Sequence, residues 1–113
     1  MQHQRTHLLF VCSRNQWRSP TGEQIYARDS RVAVRSCGVS MKARRRLREE
    51  DLDWADVVLV MEHAHRQRIL QRFPDAGRDV AIEVLDIPDD YGFMDPELQE
   101  MLRGHVEALL ENL

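Results

Sequence analysis

At 113 residues, the chain suits one domain, residues 1–113, with its own hydrophobic core. Its apolar fraction of 42% is ordinary for a globular protein, and its net charge of −3 speaks against a nucleic-acid partner. Cys12 and Cys37 are its only cysteines, too few for a disulfide scaffold. With Cys12 read as a free thiol, they point to a reducing compartment and a cytoplasmic protein. The polar start, Met1 to His7, and the short apolar run behind it do not make a signal peptide, and no segment is long enough to span a membrane.

The first predicted element is a buried strand, His7-Leu8-Leu9-Phe10-Val11. It runs into Cys12-Ser13-Arg14-Asn15-Gln16-Trp17-Arg18-Ser19-Pro20, and a helix is predicted from Thr21 to Asp29. A cysteine thus leaves a strand end, and an arginine follows near a helix start. Inward-facing backbone N–H groups and the helix dipole make such a loop an oxyanion site. Arg18 can add a two-pronged fork to two phosphate oxygens. In that field Cys12 is expected to be a thiolate nucleophile. Asn15 tolerates the left-handed backbone that a tight loop needs. Ser19 suits the helix N-cap and Pro20 the first helical position. The candidate phosphate-binding set is Ser13, Arg14, Asn15, Gln16, Trp17, Arg18 and Ser19.

Val32 to Ser36 reads as a second strand, ending at Cys37-Gly38. Cys37 is a small buried filler or, on a second reading, a redox partner. Ser40 to Glu50 mixes Lys42, Arg44, Arg45, Arg46 and Arg48 with acids. It reads as a solvated helix, or as a basic wall beside the phosphate site that steers acidic substrates. Val57 to Met61 is a continuous apolar run, expected in a strand covered on both faces. Trp54 before it is expected to pack the core. Glu62 to Phe73 is predicted helical, with Ile69, Leu70 and Phe73 inward and Pro74 as its stop. His63 and His65 do not share a helical face, and no metal set is completed around them. Val80 to Leu85 is a fourth strand, followed by an irregular loop carrying Asp86, Asp89, Asp90 and Asp95 with Tyr91 and Phe93. The last helix runs from Pro96 to Leu113, with Asp95 as its N-cap. Strand–helix alternation predicts an α/β fold, a parallel sheet with helices on both faces. Its ligand site should lie beyond the carboxyl ends of the strands.

Cys12-x-x-Asn15-x-x-Arg18-Ser19-Pro20 behind Leu8-Leu9-Phe10-Val11 resembles the phosphate loop of low-molecular-weight protein tyrosine phosphatases. The resemblance implies a three-layer fold with four strands in the order 2-1-3-4. It implies Cys12 as nucleophile, Arg18 as phosphate clamp, Asn15 as loop organiser and Ser19 as partner of the thiolate. The segment from Asp51 to Met61 looks like the family's acidic-Leu-x-x-Ala-Asp-strand-Met run. Between residues 40 and 50 the family has a longer insertion with a groove-lining aromatic, most of which is absent here. Trp17 stands where many relatives have a second, protective cysteine. The family's acid lies in an Asp-Pro-aromatic-aromatic-Gly segment. Matching that segment to Asp89-Asp90-Tyr91 makes Asp89 the general acid; matching on Tyr91-Gly92 leaves Asp86 or Asp89. Tyr91 and Phe93 are then candidate walls of a substrate groove.

The expected activity is two-step hydrolysis of a phosphomonoester through a phosphocysteine, with no metal or organic cofactor. The expected partners are a phosphotyrosine protein or small aryl phosphate, with inorganic phosphate or a similar oxyanion as ligand. No nucleic acid or membrane is expected. Two other readings are a non-catalytic phosphopeptide-binding module and an arsenate reductase, which would need further cysteines beyond Cys37.

Overall fold

The computed structural model describes residues 5–113, so Met1 to Gln4 of the polar start lie outside the described residues. Four strands form one parallel sheet: β1 (Thr6–Cys12), β2 (Val32–Gly38), β3 (Val57–Val60) and β4 (Ala81–Val84). Their order is β2-β1-β3-β4, as the resemblance implies. β1 is therefore central, and the register sets Cys12 beside Gly38 and Val11 beside both Cys37 and Val60.

Alternation along β1 divides its side chains between two cores. Leu8, Phe10 and Cys12 face one core with Leu59, Met61 and Ile87, covered by α1 (Arg18–Tyr26) and α5 (Pro96–Glu111). Leu9 and Val11 face the other with Cys37, Leu47, Leu52 and Ile69. That face is covered by α2 (Glu49–Trp54), α3 (His63–Arg72) and α4 (Pro74–Arg78). Helices on both faces explain why β1 and β3 read as unbroken apolar runs. Gly22 lets α1 lie close on the sheet, since a β-carbon there would sit 2.5 Å from the Phe10 ring. Among the described residues, no helix is long and apolar enough to cross a membrane.

Two sequence expectations are corrected. First, α1 begins at Arg18, with Trp17 at the N-cap position and no side-chain cap. Ser19 and Pro20 therefore lie inside the first turn, and the Ser19 hydroxyl faces the Cys12 sulfur and the Cys37 carbonyl rather than capping the helix. Second, residues 40–48 are not helical, and α2 starts only at Glu49. The backbone there bonds to strand and loop instead: Ser40 N–H to Ser13 O at 2.9 Å, Arg44 N–H to Arg14 O at 3.0 Å, and Leu47 N–H to Gly38 O at 2.9 Å. Buried Asp51 also draws in Arg45 (2.6 Å), six residues before it and so off any helical spacing, together with Arg35 of β2 (3.3 Å). Pro74 does stop α3, which ends at Arg72 with Phe73 as its C-cap, and it also opens α4, a position that suits its missing N–H. Asp95 does cap α5, accepting from Glu97 N–H and Leu98 N–H. Trp54 is half-buried, stacked on His7 with 4.5 Å between ring centroids.

Candidate active site

The carboxyl ends of β1, β3 and β4 converge on one narrow cavity. It is lined by Cys12, Ser13, Arg14, Gln16, Trp17, Arg18 and Asp89. The bend from strand to helix turns on Asn15, whose φ of 57° is the left-handed conformation expected of it. Asn15 is fully buried, and its amide donates to Ser19 Oγ and to Ser36 Oγ, both at 2.9 Å. Ser36 in turn donates to Glu23 at 2.6 Å. Ser19 Oγ lies 3.0 Å from Cys12 Sγ. A chain of polar groups therefore runs from Glu23 through the loop centre to the sulfur.

Arg18 is the first residue of α1, and its side chain is only 2% exposed. One nitrogen, Nη1, donates to Glu62 Oε2 at 2.5 Å and to the Ile87 carbonyl at 2.7 Å. The Nε–Nη2 edge remains for a two-pronged grip on an oxyanion. Asp89 Oδ1 stands 3.6 Å from Nε, on that same edge.

Ser13 is held from below. His65 Nδ1 accepts the Glu62 backbone N–H at 3.1 Å, so its proton sits on Nε2 and is donated to Ser13 Oγ at 2.9 Å. Burial, reinforced by the positive charge of Arg18, pushes the His65 pKa down to about 4 and keeps the ring neutral.

Of the four loop carboxylates, Asp89 alone lines the cavity. Asp86 lies 3.5 Å from His63 Nε2, Asp95 is occupied as a cap, and Asp90 is exposed. Tyr91 packs half-buried against the core and Phe93 is exposed; the aromatic at the cavity mouth is Trp17. Cys37 faces the core opposite to that of Cys12. Its thiol is held far above the ordinary range by burial and by Asp51, so it is a filler and no resolving thiol for arsenate chemistry.

Sequence reading missed Glu62, His65, Ser36 and the closeness of Gly38 to the loop. Glu62 was within reach of the argument, because it follows β3 at the sheet edge where Cys12 follows β1.

A sheet-end cysteine under an anion-binding loop, with a gripping arginine and a carboxylate across the cavity, defines a cysteine-dependent phosphatase. No family model matches the chain. A protein-arginine-phosphatase of Geobacillus stearothermophilus is 28% identical to it, over 94% of this chain and 92% of the relative. The solved YwlE arginine phosphatase from G. stearothermophilus superposes with a TM-score of 0.72 at 26% identity, covering 95% of this chain and 94% of that one. The low-molecular-weight protein tyrosine phosphatase from T. tengcongensis gives 0.75 at 25% identity, covering 96% and 99%. In fold and in sequence the chain is similar to the low-molecular-weight protein tyrosine phosphatases and to the arginine phosphatases that share their fold.

Proposed function

We propose that the chain hydrolyses a phosphorylated amino-acid side chain through Cys12, Arg18 and Asp89. The observation that carries this reading is their convergence on one cavity: a sulfur, an open guanidinium edge and a carboxylate. In the first step the Cys12 sulfur attacks phosphorus in line, forming the S–P bond as the ester bond breaks. The departing oxygen takes its proton from the Asp89 carboxylic acid. Loop N–H groups and the Nε–Nη2 edge of Arg18 hold the three equatorial oxygens. In the second step the Asp89 carboxylate takes a proton from water as the water oxygen bonds to phosphorus. The S–P bond breaks and the sulfur departs as thiolate, toward the Ser19 hydroxyl 3.0 Å away.

An aryl phosphate is the favoured substrate, because Trp17, 46% exposed at the mouth, offers a ring for stacking. Tyr91 and Phe93 then belong to the outer loop, where Phe93 can meet a longer substrate. A phosphoarginine side chain is the second reading. Asp89 and the neighbouring Asp90 put carboxylates beside the mouth that suit a guanidinium, and relatives of 26–28% identity are named arginine phosphatases. Both thiols are buried and unbridged, which suits the reducing cytoplasm.

The deciding experiment is turnover of p-nitrophenyl phosphate by the parent and by Cys12→Ser, followed by phosphotyrosine, phosphoserine and phosphoarginine peptides. Turnover should vanish in Cys12→Ser while phosphate binding survives, and near-parent turnover in that variant would sink the assignment. Asp89→Ala should hurt phenyl phosphate far more than p-nitrophenyl phosphate, whose leaving group departs unprotonated. That dependence appearing in Asp86→Ala instead would move the acid role there.

A further inference from the structure

The 39–48 segment and the neighbouring face of α3 present cations with no acidic partner. Arg14, Lys42, Arg44, Arg46, Arg68 and Arg72 make no ion pair with a carboxylate among the described residues. Their neighbours do: Arg35 and Arg45 meet Asp51, and Arg48 meets Glu50. The segment thus has an ion-paired side and an unpaired side.

The unpaired side is nevertheless held in place. Arg44 Nε donates to Asn15 O at 3.1 Å, Arg68 Nη2 to Val39 O at 3.4 Å, and Arg72 Nη1 to Leu47 O at 2.8 Å. A carbonyl orients a guanidinium without cancelling its charge. Arg46, Arg68 and Arg72 stand close enough to repel, and Arg72 is held below the usual arginine range by desolvation and by the other two. An incoming anion would relieve that repulsion.

The surface is continuous with the cavity. Arg14 lines it, Arg44 N–H bonds to Arg14 O at 3.0 Å, and Val39 N–H bonds to Cys12 O at 3.0 Å. The lining also carries the opposite charge in Asp89, on a loop whose Asp86 and Asp90 are exposed. A nucleic acid, charged on both sides of any phosphate, would run into those acids. A polypeptide can carry its negative charge on one side alone.

We propose that this arginine face binds a run of acidic side chains on one side of the phosphorylated residue of a polypeptide substrate. The proposal rests on the phosphatase reading above, and deepens it to a substrate class.

The test measures affinity on Cys12→Ser, so that turnover does not enter. Three phosphotyrosyl peptides are compared: glutamates before the phosphotyrosine, glutamates after it, and glutamines on both sides. One acidic peptide should bind about tenfold more tightly than the glutamine control, the product of a few exposed pairs worth roughly two- to fivefold each. The advantage should collapse at high salt, and also when Arg46→Gln and Arg68→Gln are added together. Arg46→Gln alone, at an exposed side chain, should lower it partway and guards against a folding failure of the combined variant. Equal affinity for all three peptides would overturn the proposal. So would a short oligoribonucleotide that binds more tightly than the acidic peptide. Turnover of p-nitrophenyl phosphate by the parent reads the phosphatase activity separately: no turnover with the acidic preference intact removes the activity and leaves the surface.

Discussion

Gly38→Ala should disable the site without removing any side chain of the phosphate loop. A β-carbon at Gly38 would lie 2.4 Å from the Ser13 carbonyl oxygen, 2.8 Å from Ala43 Cβ and 3.0 Å from the Asn15 nitrogen. Carbon–oxygen contacts settle at about 3.3 Å, so relief must move one backbone by roughly 0.9 Å. Neither backbone is free to yield. The Ser13 carbonyl is tied to Ser40 N–H at 2.9 Å, and Gly38 N–H to Arg45 O at 2.9 Å. The displaced atoms belong to the loop whose N–H groups would cradle the phosphate. A shift of about 1 Å costs about 100-fold in rate, equivalent to about 2.7 kcal/mol of barrier. Overpacking should also lower stability by roughly 1–3 kcal/mol. The assay is kcat/KM for p-nitrophenyl phosphate with the Kd of inorganic phosphate and a thermal melt. Gly92→Ala, where nothing lies within 4 Å, serves as the control and should be close to silent. A Gly38→Ala enzyme with kcat/KM within threefold of the parent would refute the reasoning.

Glu62→Gln keeps the shape but removes the charge that anchors Arg18 Nη1 at 2.5 Å. A charge-assisted bond of about 1.5–3 kcal/mol predicts a fall in kcat/KM of about 10- to 100-fold; parent-like kinetics would mean that the Ile87 carbonyl alone suffices. The neutral His65, with its pKa near 4, binds its proton less readily than in the unfolded chain. The unfolded state then holds more protons between about pH 6.5 and 4. Stability should therefore fall on acidification through that window, by on the order of 3 kcal/mol in full, and His65→Gln should flatten that part of a urea-unfolding series against pH. Mild peroxide should carry Cys12 to sulfenic acid and beyond without a Cys12–Cys37 bond, because the two thiols face opposite cores; mass spectrometry finding that disulfide in good yield would contradict the assignment.

The chain's own order of residues determined the α/β class, the central strand and the phosphate loop, because those signals are local. Apolar runs mark β1 and β3, and Cys12 to Pro20 carries donors, charge and a left-handed asparagine within one turn of chain. The resemblance offered Asp89 as the candidate acid with Asp86 as its alternative, but that Asp89 alone of the four loop carboxylates lines the cavity was decided by where the backbone turns. Positive φ at Asp86 and Met94 bends that loop, and no spacing rule announces it. The 40–48 stretch misled for a related reason. Its charge pattern favours a helix, yet its amides are taken by Ser13, Arg14 and Gly38, partners distant in sequence. Glu62, His65 and Ser36 are ordinary residues at their own positions. Their grip on Arg18, Ser13 and Asn15 exists because a parallel sheet brings the ends of β1, β2 and β3 to one edge. Local chemistry named Cys12 and Arg18 as the candidates; tertiary packing decided what holds the loop, since the holding groups lie 21 to 52 residues away and meet only when the sheet forms.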